Sequence, residues 1–278
     1  MKSKRYVGLL AAVVGLLTAF AAVSPLAQAA NPRTGYTQFT GCPSPISENS
    51  NIHTCLHATI KSGKFKMGNK EVPIEKPITL TGGVEHLFTP GPLLFNSKGG
   101  LSKAKQKVPG GVIGLTGLTW LLEFLGSEAL TLYATTELVG TPIVAGTAFA
   151  QLPIRVHLEN GVLGNNCYVG SSSSPITLNL TTGTTSPPPP NTPITGKEPS
   201  LEFIEATEIQ KANNGTYVDN SFAAPGASGC VLTLFGFIPI SINGLVNSQS
   251  GLPAAAGTNE TVQNFDAEVV NSEIAFTE

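Results

Sequence analysis

Ser171–Lys197 reads SSSSPITLNLTTGTTSPPPPNTPITGK. A serine run, a threonine-rich patch and four prolines have the composition of a tether between domains. The flanks argue otherwise. In PITLNL, Ile176, Leu178 and Leu180 alternate with Thr177, Asn179 and Thr181, the period of a half-buried strand. Beyond the prolines, SLEFIEATEI (Ser200–Ile209) carries Leu201, Phe203, Ile204 and Ile209 in a second strand-like run. Pro187–Pro190 lack backbone donors and favour polyproline extension; at ~3.1 Å per residue, Ser186 to Pro193 would span about 25 Å. The expectation is a stiff crossing from one sheet edge to another, inside one domain.

The cysteines bear on the same point. Cys42, Cys55, Cys167 and Cys230 make an even set, which three connectivities can satisfy. Near neighbours close most easily, which favours Cys42–Cys55 and Cys167–Cys230. In the chain-entropy picture the first would stabilise by about 3 kcal/mol and the second by about 4 kcal/mol. The second would enclose the proline run. Disulfides fit an exported chain, and the N-terminus has that pattern. Lys2, Lys4 and Arg5 precede an uncharged apolar stretch, and Ala27-Gln28-Ala29 supplies small residues around a cleavage point. Residues 1–29 are read as a signal peptide and 30–278 as one β-rich secreted or cell-envelope domain.

Removing the three basic residues of that leader takes the formal charge from −2 to −5. Charged residues are 12% of the chain, too few and too acidic on balance for a nucleic-acid footprint. Hydrophobic residues are 41%, ample for a core. In GKFKMGNKEVPI, Gly68-Asn69 is a two-residue hairpin signal between apolar-alternating flanks. Leu130–Val139, Gln151–Asn160 and Glu260–Phe276 continue the strand texture. The fold class expected is mainly β, an antiparallel sandwich or barrel with one or two short apolar helical insertions.

Two segments break the texture. Val108–Leu125 is apolar with one acid, Glu123, and follows the basic KAKQK of Lys103–Lys107. Leu118, Leu121, Leu122 and Leu125 have helical spacing, which predicts a helix over Leu115–Ser127. Cys230–Val246 is apolar and uncharged. Both contain Gly and Pro, and neither reads as a transmembrane helix. They either plug the β core or present a surface to a membrane or apolar ligand, with the lysines on anionic headgroups, or to a second copy of the chain. Leu118, Trp120, Leu121, Leu122, Leu125, Phe235 and Phe237 are the candidate apolar partner surface.

Chemical constellations are thin. His53, Cys55 and His57 alternate in HTCLH and would share one strand face, half a metal site unless Cys55 is oxidised. His157 alternates with Arg155 and Glu159, a row usually solvated. Glu205 and Asp219 form a possible glycosidase pair that no spacing selects, and Asp219 beside Asn220 reads as a turn residue. No nucleophile elbow, zinc-protease helix, P-loop or dinucleotide fingerprint is present. No catalytic, cofactor-binding or metal residue is assigned.

LGNNCYVGSSSSPITLNLTTGTTSPPPPNTPITG (Leu163–Gly196), with VDNSFAAPGASGC, GLPAAAGTN and the early GCPSP and TCLHATIKSGKFKMGNKEVPI, resembles a family of uncharacterised secreted proteins of high-GC Gram-positive bacteria. The resemblance covers roughly Tyr36 to Val270. It implies export and two cystines and carries no catalytic residue. The expected function is that of a non-catalytic secreted or envelope protein, structural or binding an apolar, lipid-like partner. The alternative is a secreted hydrolase of glycan or envelope material.

Overall fold

The computed structural model describes residues 30–121, 126, 129–234 and 238–277. Its strands are β1 (Thr54–Met67), β2 (Lys70–Ile74), β3 (Ile78–Val84), β4 (Gly91–Pro92), β5 (Gly100–Leu101), β6 (Gln106–Lys107), β7 (Tyr133–Leu138), β8 (Ile143–Ala145) and β9 (Phe149–Glu159). They continue as β10 (Tyr168–Val169), β11 (Ile176–Thr181), β12 (Ser200–Ile204), β13 (Ile209–Asp219), β14 (Ala227–Ser228), β15 (Val231–Leu234), β16 (Ile238–Ser241) and β17 (Glu260–Asn271). Three short α-helices have their full ranges among the described residues: α1 (Gly111–Thr116), α2 (Asn243–Ser250) and α3 (Ser272–Phe276).

All strands but β15 and β16 belong to one antiparallel sheet, whose main path runs β14-β10-β9-β11-β13-β17-β1-β3-β5. The protein is mainly β, a large curled half-barrel with few short helices. Alternation builds it. Along β9, Ala150, Leu152, Ile154, Val156 and Leu158 are buried while their neighbours are only half-covered. On β11, Ile176, Leu178 and Leu180 point into the same core, each worth about 1.5–3 kcal/mol of burial.

Two β-bulges bend the sheet. Both face one short segment of β17: pairing slips in β1 between Ile60 and Ser62, and in β13 between Ala212 and Gly215. An extra residue sharpens local twist, so paired bulges on either side of one strand curl the sheet there. The open side of the curl is spanned by the chain itself. Gly83 and Leu94 exchange both backbone hydrogen bonds, and Leu93 N–H donates to the Pro142 carbonyl at 2.9 Å. β4 meanwhile pairs with β8, which pairs with β9.

A smaller core lies on the outer face. Phe39, Cys42, Ile52, Cys55 and Val270 gather the N-terminal segment and α3 against β1 and β17. The Cys42–Cys55 disulfide pins that segment to the sheet; Cys167–Cys230 ties the start of β10 to the start of β15. Both bonds are those expected from the spacing. The Gly68-Asn69 hairpin also forms, with Met67 opposite Lys70.

The proline run is not an extended crossing. Thr185 N–H donates to the Ile194 carbonyl at 2.9 Å, and Thr184 and Thr195 form a bridge, so the ends of the run lie side by side. Asn191 holds the tip down: its side chain donates to the carbonyls of Asn220 and Asn259, both at 2.8 Å, and its N–H to that of Gly257. Polyproline has no internal hydrogen bonds, so specific partners outside the run decide where it goes. β11 and β12 then lie along the same edge of β13.

The helix expected over Leu115–Ser127 is also different. Gly117 takes φ 74° and its N–H caps the Ile113 carbonyl, which ends α1 at Thr116. Helical conformation resumes at Leu121.

Candidate functional site

The inner face of the curl encloses a cavity of about 90 Å³. β1, β2, β3, β7, β9 and β11 supply its apolar wall, with Phe65, Ile78, Ala134, Leu152, Ile154 and Leu178 among the lining residues. Leu115 from α1, Ser250 from α2 and Leu252 complete it. α1 and α2 pack against each other, and together they cap this end of the curl.

Few polar groups enter. Gln106 makes three hydrogen bonds: its carbonyl accepts from the N–H groups of Glu75 and Lys76, and its amide donates to the Lys76 carbonyl. This clamp holds β6 beside the β2–β3 turn. Lys70 directs its ammonium to the Gly114 carbonyl at 2.6 Å, fixing α1 to the β1–β2 hairpin. Two other polar atoms have no partner. Ser250 Oγ and Gln263 Oε1 are buried and unbonded, and both residues line the cavity. Ser250 is 2% exposed and Gln263 5%. An unpaired buried polar group costs about 1–3 kcal/mol, so each of these two atoms calls for a hydrogen-bonding partner.

The sequence-derived surface divides. Leu121 is buried in the core, Leu118 is half-buried against it, and Trp120 is 42% exposed. Leu122, Leu125, Phe235 and Phe237 lie outside the described residues. The neighbours of the last two are informative. β15 and β16 pair only with each other among the described strands, forming a ribbon separate from the main sheet. Ile238, Pro239, Ile240 and Ser241 are all exposed. The Cys167–Cys230 bond anchors the ribbon's base, where Ile242 N–H donates to the Cys230 carbonyl at 3.0 Å and the chain opens directly into α2. Lys103 and Lys105 pair with Glu137 and Glu159 on the sheet's outer face.

The titratable residues singled out in the sequence do not converge on a cleft. Asp219 is fully buried at the end of β13; its carboxylate accepts from Asn179 N–H at 2.6 Å and from the N–H and hydroxyl of Ser221. That is the turn role. Glu205 is exposed in the turn that follows β12. Cys55 is oxidised, and His57 lies against Thr81 Oγ1 at 2.7 Å. Among the described residues no group of three His, Cys, Asp or Glu is placed to hold a metal.

His157, Arg155 and Glu159 form an outer-face ladder. The rings of His157 and Tyr168 stack at 4.4 Å, the Arg155 guanidinium sits 4.2 Å over Tyr168, and Arg155 pairs with Glu137 at 2.7 Å. Burial pushes the Glu159 carboxyl up, but Lys105 and the Thr135 hydroxyl outweigh it and hold it below the usual range. Every charge in this row has a partner, which makes it a brace across β7, β9 and β10.

Sequence reasoning missed the cavity because its walls read as ordinary core. Gln263, a polar residue in the inward phase of Thr261, Gln263, Phe265 and Ala267, was the available signal. No family model, curated protein or solved structure matches the chain. The two disulfides suggest an extracytoplasmic location.

Proposed function

We propose that this chain is an exported, non-catalytic protein that takes the end of an aliphatic ligand into the interior of its half-barrel. The observation that carries this is the apolar cavity beneath the α1–α2 cap. Each cap helix is continuous with exposed apolar chain: α1 leads to Trp120, and α2 follows the Ile238–Ser241 ribbon. No helix among the described residues is long and apolar enough to cross a membrane. The uncharged ribbon instead suits contact with a lipid surface from which such a ligand is drawn. At about 90 Å³ the cavity admits only the leading end of a chain, since benzene occupies engineered cavities of about 150 Å³. A longer tail leaves past Leu115 and Leu252.

Binding to the folded state alone raises stability by about 2.7 kcal/mol at a hundredfold excess over Kd. For a chain of this size that is about 5–10 °C in Tm. Short n-alkyl compounds should produce such a shift in the mature oxidised protein, and Ala134→Phe, which fills the cavity, should abolish it. Co-sedimentation with lipid vesicles should fall on changing Ile238 and Ile240 to Ser. A flat melting temperature across the series would defeat the proposal.

A further inference from the structure

We propose that the ligand's leading end carries a hydroxyl group, bound between Gln263 and Ser250. This rests on the apolar-ligand reading above and specifies its chemistry. The amide of Gln263 has one orientation. Thr261 Oγ1 donates to the Lys64 carbonyl at 3.0 Å, which spends its only proton. Thr261 can therefore only accept from Gln263, and Gln263 Nε2 donates to it at 3.1 Å. Reversing the amide would set two acceptors against each other. Gln263 Oε1 is thus held as an acceptor, buried and unpaired, on a residue that lines the cavity.

A ligand must answer with a donor. An alkane supplies none. An ether or a carboxylate presents only lone pairs, and a carboxylate adds like-sign repulsion in a dry setting. An aliphatic hydroxyl satisfies both orphaned groups at once: its O–H donates to Gln263 Oε1, and its oxygen accepts from the Ser250 hydroxyl. Ser250 is fixed for this, because it ends α2 and its carbonyl accepts the Asn69 N–H at 2.8 Å. The carbon chain then lies along Leu152, Ile154 and Leu178.

The one cation lining the cavity among the described residues, Lys70, has no carboxylate partner among them and is turned to the Gly114 carbonyl. It is the feature that a carboxylate-bearing ligand would use, and the experiment includes that arm.

Affinities of the mature oxidised protein are measured for 1-pentanol, its isomer 1-methoxybutane, pentanoate and pentane. The isomers share size and atoms and differ in the O–H. The expected result is that pentanol binds at least about tenfold more tightly than the ether and than pentanoate. Gln263→Met and Ser250→Ala should erase that preference, with a cooperative melt showing that each variant folds; a preference kept in both folded variants overturns the assignment. Equal affinity for alcohol and ether, with both binding, overturns the hydroxyl assignment and leaves the apolar site standing. Tighter binding of pentanoate overturns it in favour of an anionic head at Lys70. If none of the four binds, the apolar-ligand reading falls and takes this inference with it.

Discussion

Asp266 works at both bulges of the sheet. Its carboxylate accepts the Asn214 N–H at 2.8 Å from the bulge in β13 and the Lys61 ammonium at 2.7 Å from the bulge in β1. Burial pushes the carboxyl up, but the Asn214 N–H and Lys61 outweigh it and hold it below the usual range. Asp266→Ala should therefore cost about 1 kcal/mol, screening included, measured by urea unfolding. The contribution is complete above the ordinary carboxylate range and disappears as pH falls through the lowered native value, so the variant and the native chain should converge in acid. His57 acts at higher pH. Burial lowers its pKa, against the opposing pull of the Glu268 carboxylate. A lowered histidine favours the folded state above the ordinary value of 6.5 and loses that contribution as pH drops through the native one. Between pH 7.5 and pH 5 the native chain should lose more stability than His57→Gln. An equal loss in both would contradict the assignment.

At the level of elements, legibility followed locality. β9 and β11 were readable because alternation is a property of the strand itself, and the 68–69 hairpin because two residues set its turn. The leucine spacing predicts one helix over Leu115–Ser127, but it runs through Gly117, where the backbone turns left-handed and ends α1; Leu122 and Leu125 lie outside the described residues. The course of the proline loop is not legible locally, because Asn191 fixes it by reaching residues 29 and 68 positions away. Asn191→Ala removes two bonds from buried carbonyls. It should cost about 1–3 kcal/mol and open the loop to proteolysis near Thr192 ahead of global unfolding. Protection equal to that of the native chain would show that the prolines hold themselves. The cavity escaped notice for a further reason: a void is made by which side chains fail to meet, and one-dimensional patterns carry no record of that.

For the whole molecule, the sheet is interleaved across the proline loop. β1 lies between β17 and β3, and β13 pairs with both β11 and β17, so each side of the loop completes strands of the other. Expressed separately, residues 30–185 and 193–278 should show no cooperative melting; a transition in either at the temperature of the intact chain would make the loop a tether between independent units. The same curl that unites the halves makes the cavity, and occupation of that cavity is the centre of the account. Crystals of the mature oxidised protein equilibrated with 1-bromopentane would locate a bound chain by the anomalous scattering of bromine. The account predicts a bromine position within the half-barrel, among Leu115, Ile154 and Leu178. Bromine found only on the outer surface, with the interior unchanged at saturating compound, would contradict it.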